Sequence, residues 1–524
     1  MEKKVFLREA TGLVREMGFF DVLAVATMNM SIGVGSMYLL LYGPATAPGG
    51  DLVVGTIICF ALAIFGGLSW AFIGSVMPRS GGDYVFLSRI MHPALGTATS
   101  SVWYAVNVLW GGMSAAWVAS TGIPTLAYSV GRPDIAAMAT TPPVLIAVGT
   151  VVLVFSLILL IFSLRAWLIF QGINFAIGMV MLLALLAVVA SATRAQFISA
   201  FNAFSATYNS PDYNTILSIG TQEGYSWTPN AYETIAIVPA AYWALGYAYA
   251  GTFWSGEIKR TSRNIPLGIV SGLLITGFFM ALTAAIFVHV MGYEFLGSAT
   301  AAWYAGKWTV PNPPYFQVLA GTLVMNNPPL LVLFGIGMIC WNLLWPGLGI
   351  WAMSRITMAW SFDRLVPSWF GAVSDRFHTP HVSLIFAFVT NEIVLIIYAF
   401  YYEFLASFTS EVMQTATTFM LIGIAATILP FLGKMRKLYE GSAVSRYKIG
   451  SIPLITISGL LYVVLLLTVL YFFVGPAYGE LHFSALVQTS SVFVAALILW
   501  FVVRAYRRRQ GIDIDLAYKE LPPE

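Results

Sequence analysis

Residues Ala26 to Tyr42 read ATMNMSIGVGSMYLLLY, an apolar run with an Asn, two Ser and a Gly-x-Gly at its centre. What such a run can bind depends on whether its backbone stays helical. If it unwinds over Ile32, Gly33, Val34, Gly35 and Ser36, the following half-helix presents unpaired N–H groups and the positive end of its dipole. That setting suits a carboxylate. The same glycines could instead let two helices approach closely, and the stretch alone leaves both readings open. A second interrupted stretch, VPAAYWALGYAYAGTFWSGE, carries Pro239 near its start and Gly246 and Gly251 further on. Carbonyls freed around Ala244, Leu245, Gly246 and Tyr247 would face an ammonium group. Donors from one stretch and acceptors from the other suit an α-amino acid.

The elements that position these stretches follow from composition. The chain of 524 residues is 59% hydrophobic and 9% charged, whereas soluble domains carry about 25% charged residues. It reads as an all-α polytopic membrane protein. Segments of roughly 20 apolar residues fall near 19–42, 52–76, 97–128, 143–164, 166–192, 233–256, 265–292, 330–358, 381–403, 409–433, 452–475 and 485–506. That gives about 12 transmembrane helices. The two interrupted stretches are the first and sixth, as expected of a five-plus-five inverted repeat with broken helices 1 and 6. The expected organisation is a cytoplasmic segment 1–18, a first repeat 19–192, an outside loop 193–232 and a second repeat 233–433. Two further helices with a preceding loop occupy 434–506, and a cytoplasmic tail 507–524.

Lys and Arg in short loops remain on the cytoplasmic side. With both termini inside, only Arg132, Arg194 and Lys307 fall in outside loops, and the other 23 of the 26 basic residues lie inside. The net charge of +3 therefore reports topology, and no nucleic-acid partner is implied. The expected location is the cell membrane, with the bilayer as a partner. The N-terminal stretch is too charged for a cleaved signal peptide and reads as an amphipathic lead-in. Cys59 and Cys340 lie within spans, and the five histidines show no metal-ligand spacing. Neither a disulfide framework, a metal site, a cofactor motif nor an enzyme's convergent catalytic set is indicated.

Three further stretches lie on the expected cytoplasmic side: PRSGGDYVFLSRIMHPALG (Pro78 to Gly96), EIKRTSRNIPLGI (Glu257 to Ile269) and SRITMAWSFDRLVPSWFGAVSDRFHTPHV (Ser354 to Val382). Together with IGVG, in this order, they resemble the amino acid-polyamine-organocation (APC) superfamily of permeases over nearly the whole chain. The resemblance implies a secondary transporter of amino acids working by alternating access, with substrate held by the first and sixth helices. Its IGxG motif falls on Ile32, Gly33, Val34 and Gly35, the amides of Val34 and Gly35 being the implied carboxylate donors. Val34 departs from the small residue usual there. In the sixth helix the family's central glycine falls at Tyr247, one residue after Gly246. The resemblance also implies gating roles for Arg79, Glu257 and Arg355.

Pocket walls decide the substrate. A cationic cargo would call for an acidic side chain or dense cation–π faces, yet the first, third, sixth and eighth spans carry no Asp or Glu near their middles. They offer Trp103, Trp110, Trp243, Tyr247, Tyr249, Trp341 and Trp345 instead. A neutral apolar or aromatic amino acid is expected, with cationic amino acids or polyamines, or a sensor on the same fold, as the alternatives. Glu392, in the middle of the ninth span, is a candidate proton site, or else a structural, hydrogen-bonded carboxyl. Of the two long outside loops, 193–232 is read either as ordering over the entrance or as a plain surface covering, and 293–329 as holding a short gating helix.

Overall fold

The computed structural model of the chain describes residues 13, 15–401, 411–475 and 481–521, giving the backbone alone for 411 and 481–486. The expected lead-in over 1–18 lies largely outside these residues, as do the start of the tenth span and the end of the tail. Among the described residues, ten helices are long and apolar enough to cross a membrane. Among the described residues the strands are Lys448–Ile449 and Ile452–Pro453, which form a small hairpin in the loop before the eleventh span. The chain is an all-α polytopic membrane protein.

Two expected spans fall outside that set of ten. The third is a helix, Pro93–Trp117, made less apolar by Asn107 and a run of Thr and Ser near its start. The sixth is in pieces. Local sequence explains where helices begin: Asp51 accepts from the amides of Val53 and Val54 at 2.9 Å, and the His92 ring accepts from Ala94 at 3.1 Å just ahead of Pro93. Such caps satisfy donors that a helix start leaves unpaired.

Sides facing lipid and sides facing protein separate at helical spacing. Val151, Phe155, Ile158 and Phe162 are exposed along one stripe of Pro142–Phe162, while Leu145, Leu153 and Leu160 are buried on the other. Small residues set the closest helix contacts, as expected where lipid and core are equally apolar. Gly268 and Gly272 of the seventh span, Thr261–Met291, lie against Val22 and Ala26 of the first, and Gly67 of the second span, Leu52–Val76, lies against Leu273 of the seventh.

Three spans are broken. The first divides into Phe19–Met30 and Ile32–Thr46 at Ser31, whose φ of 45° is left-handed. The break thus precedes the expected Ile32 to Ser36, which begin the second half-helix. The sixth runs through Ala231–Ala236 and Val238–Leu245, turns at Gly246 and Tyr247, and continues as a tight 3-10 helix, Ala248–Glu257. The eighth, expected as one helix over 330–358, divides into Pro328–Asn342 and Trp345–Phe362. Pro346 is the cause, because it lacks an N–H and its ring would press on the carbonyl four residues back. The Gln171 amide donates to the Leu343 and Leu344 carbonyls at 3.3 and 3.2 Å, satisfying backbone that the break frees.

The two long loops are ordered against each other. Helices Arg194–Thr207 and Tyr213–Gln222 occupy the first, and Tyr293–Tyr304 and Phe316–Thr322 the second. The Tyr213 hydroxyl donates to the Met291 carbonyl at 3.1 Å, Tyr225 to Tyr293 at 3.0 Å, and Lys307 pairs with Glu223 at 2.6 Å. Thr300 donates to the Leu41 carbonyl at 3.1 Å, fastening the second loop to the first span.

Candidate functional site

At the first break, Ile32, Gly33 and Val34 open a half-helix, so their N–H groups precede its first helical hydrogen bond. The Gly35 amide is not among these donors: it bonds to the Ser31 carbonyl at 2.8 Å. Of the two amides expected to face a carboxylate, Val34 is thus among the helix-opening N–H groups, while Gly35 is engaged within the half-helix. The hydroxyls of Ser31 and Ser36 are buried without a hydrogen-bond partner among the described residues. The two glycines also serve close packing, because a Cβ on Gly33 would stand 2.4 Å from Trp341 Nε1 and one on Gly35 2.6 Å from the Ala244 Cβ.

Asn29 joins this break to the one in the sixth span. Its side-chain amide donates to the Tyr247 carbonyl at 2.6 Å, and its own carbonyl accepts from Trp345 Nε1 at 3.1 Å. Beside it lies a crevice lined by Asn29, Trp103, Trp110, Trp243, Tyr247 and Trp345. Trp110, Trp243 and Trp345 meet edge to face, with ring centres 5.6 to 5.9 Å apart. Tyr38 packs on Trp243 at 4.5 Å. Trp103 Nε1 is buried without a partner among the described residues, leaving an indole donor at the wall. The crevice holds about 50 Å³, well below the roughly 300–1,000 Å³ of a ligand pocket.

Of the expected carbonyl segment, Tyr247 lines this crevice, whereas Ala244, Leu245 and Gly246 do not. Tyr249 turns to the other side and stacks on Trp70 at 4.7 Å. The Tyr247 hydroxyl bonds to Thr415 Oγ1 at 3.0 Å, bringing the tenth span to the same place. Among the described residues, the crevice walls carry neither Asp nor Glu, and neither Lys nor Arg.

Below the sixth span's 3-10 helix, Glu257 and Arg355 form a two-pronged pair: Nε to Oε1 at 2.9 Å and NH2 to Oε2 at 2.8 Å. Both side chains are at most 3% exposed, so the pair is protected from solvent screening. Arg79, the third expected gating residue, donates to the Pro78 carbonyl at 3.0 Å. The buried cation of its loop is Arg89, held by Asp363 through bonds of 2.6 and 2.8 Å. Tyr84 adds a third bond to Asp363 at 2.7 Å, and the chain's C-terminal stretch covers the group, with the Tyr518 ring 5.1 Å from the Arg89 guanidinium. In the same loop, burial pushes the Asp83 carboxyl up to about 7, partly opposed by the Thr99 hydroxyl.

Glu392 stands apart from the crevice, accepting from the Thr150 hydroxyl in the fourth span, with its second oxygen buried and unpartnered among the described residues. Its neighbour Asn391 presses its side-chain carbonyl onto Gly111, a residue of the crevice wall. Asn29, Ser31, Asn107 and Arg89 were not singled out as site residues from the sequence. An Asn at mid-span was the available signal for Asn29; for Arg89, nothing in the loop distinguished it from its charged neighbours.

A model of the amino acid permease family matches residues 17–503. Over 161 residues the chain is 27% identical to an uncharacterized transporter of Rhizobium meliloti (strain 1021), the aligned part covering 30% of this chain and 31% of that relative.

Proposed function

The chain belongs to the amino acid permease family, and from that premise we propose that it carries neutral apolar or aromatic amino acids across the cell membrane by alternating access. The observation that carries the choice of substrate is the crevice at the broken helices, whose walls are indole, phenol and carboxamide with no charged side chain. A cationic cargo there would lose its hydration with nothing of opposite charge to replace it.

In this reading the substrate carboxylate meets the Ile32, Gly33 and Val34 amides and the Ser36 hydroxyl, with Trp103 Nε1 as a further donor. The ammonium group meets the carbonyl side of the sixth-span break at Tyr247, the member of the expected carbonyl segment that lines the crevice. Apolar side chains rest against Trp110, Trp243 and Trp345. The repeats 19–192 and 233–433 each contribute helices to the parts that rock, both termini face the cytoplasm, and the Glu257–Arg355 pair closes the inner end. Glu392 carries a proton if uptake is driven by a proton gradient.

The test is uptake of a labelled neutral amino-acid mixture into proteoliposomes, preloaded or empty, with and without an imposed proton gradient. Arginine and putrescine serve as comparators. Saturable uptake of the neutral mixture is expected, and uptake confined to the comparators would overturn the reading. If the gradient is required, Glu392→Gln is expected to abolish that requirement or transport itself; preloading that suffices without a gradient would remove Glu392 from the mechanism.

A further inference from the structure

Residues 432–453, between the tenth and eleventh spans, carry Lys434, Arg436, Lys437, Arg446 and Lys448 against a single acid, Glu440. Three buried side chains seat this loop on the bundle: Met435 and Tyr439 of helix Gly433–Glu440, and Val444 of the turn Ala443–Arg446. The turn packs on that helix and on the second span, where Tyr447 stacks on Phe72 with ring centres 5.8 Å apart. The chain then forms the hairpin of Lys448–Ile449 and Ile452–Pro453, turning through Gly450, whose φ of 60° is left-handed, and Ser451. The Leu454 amide closes the base of the hairpin on the Tyr447 carbonyl at 2.9 Å. Leu454 also opens the eleventh span, so the hairpin stands at the bilayer surface.

Ile449 and Ile452 pair directly across the hairpin, and directly paired residues project from the same face. They are 61% and 49% exposed. A rigid turn thus holds two large apolar side chains out of the protein, beside the level at which acyl chains begin, and burying them there is favourable. The cations around them divide into two groups. Arg436 is taken by Glu440 at 2.8 Å, and Lys434 donates to the Met91 carbonyl at 3.4 Å. Lys437, Arg446 and Lys448 are exposed and enter no ion pair among the described residues. The orientation rule accounts for the sign of such a loop, but not for isoleucines set among its cations.

We propose that this loop binds anionic phospholipid, with Ile449 and Ile452 in the acyl boundary and Arg446 and Lys448 on the headgroups. The combination selects this partner. A soluble anion would use the cations and leave the isoleucines in water, whereas a zwitterionic lipid would use the isoleucines and leave the positive charge unmatched. The interaction is separate from the crevice and independent of what the crevice carries.

The experiment places a polarity-sensitive dye on Ser451→Cys, at the exposed tip of the hairpin; the native Cys59 and Cys340 are buried. The purified full chain is reconstituted in phosphatidylcholine vesicles, with or without about one third phosphatidylglycerol, each carrying a spin-label quencher on the acyl chains. Quenching is expected in both vesicles and should be greater with phosphatidylglycerol. Arg446→Gln together with Lys448→Gln should remove that increment, and Ile449→Ser together with Ile452→Ser should lower quenching in both vesicles. All four side chains are exposed, so these variants leave the packed bundle untouched. Inorganic phosphate at matched ionic strength should leave the increment in place. Absent quenching, equal quenching in the two lipids, an undiminished signal in either double variant, or an increment removed by phosphate would each overturn the proposal.

Discussion

The Asn29 carboxamide donates to the Tyr247 carbonyl at 2.6 Å, tying the broken first span to the broken sixth through one side chain. Because Trp345 Nε1 holds the Asn29 carbonyl at 3.1 Å, the eighth span is joined to the same point. Asn29→Ala frees the Tyr247 carbonyl and loosens one crevice wall. Uptake kinetics in proteoliposomes should show KM raised about tenfold, the scale of one hydrogen bond to a buried group. Unchanged KM and kcat would detach Asn29 from the site.

The Glu257–Arg355 pair is buried on both sides. Removing one partner strands the other as an uncompensated charge, a loss of roughly 3–5 kcal/mol. Glu257→Gln and Arg355→Gln should each lower the melting temperature of the purified protein, and the double variant should lie nearer the wild type than the sum of the two. Additive losses would show that the two side chains act separately.

Gly33 lies under the Trp341 indole, with room for no Cβ. Gly33→Ala should lower stability and uptake together, because the half-helix and the indole must move apart. Adding Trp341→Leu opens that space and should restore much of the stability. If uptake stays low in the stable double variant, the indole shapes the site; if Gly33→Ala alone changes nothing, the close packing is not essential.

Asp83 supplies a pH dependence with a definite sign. Its carboxyl titrates at about 7 in the fold, against an ordinary 3.8, so the folded state keeps a proton that the unfolded chain releases. The folded state then binds more protons between these values, and its stability falls as pH rises across the window, flattening above about 7. Melting temperature should be higher near pH 5 than near pH 8. Asp83→Asn should reduce that difference, and an undiminished difference would place its origin elsewhere.

The sequence by itself determined the class of fold. A bilayer demands long apolar helices and satisfied backbone, and that demand is written locally in run lengths, in Asp51 and Pro93 at helix starts, and in the exposed stripe from Val151 to Phe162. It also marked the first and sixth spans as places of interruption, since glycine, serine and proline act on their own turn of backbone. The order of the loop motifs carried the family.

Tertiary structure alone decided which groups meet. The first break fell at Ser31 and left the Gly35 amide bonded to the Ser31 carbonyl, because hydrogen bonding around a kink depends on a single left-handed residue. Pro346 broke the eighth span, yet only the fold brought Gln171 from the fifth to satisfy it. Arg355 found Glu257, and Arg89 found Asp363. Asn29 and Tyr247 are 218 positions apart, and contact across such a separation is set by helix packing, which local sequence does not encode.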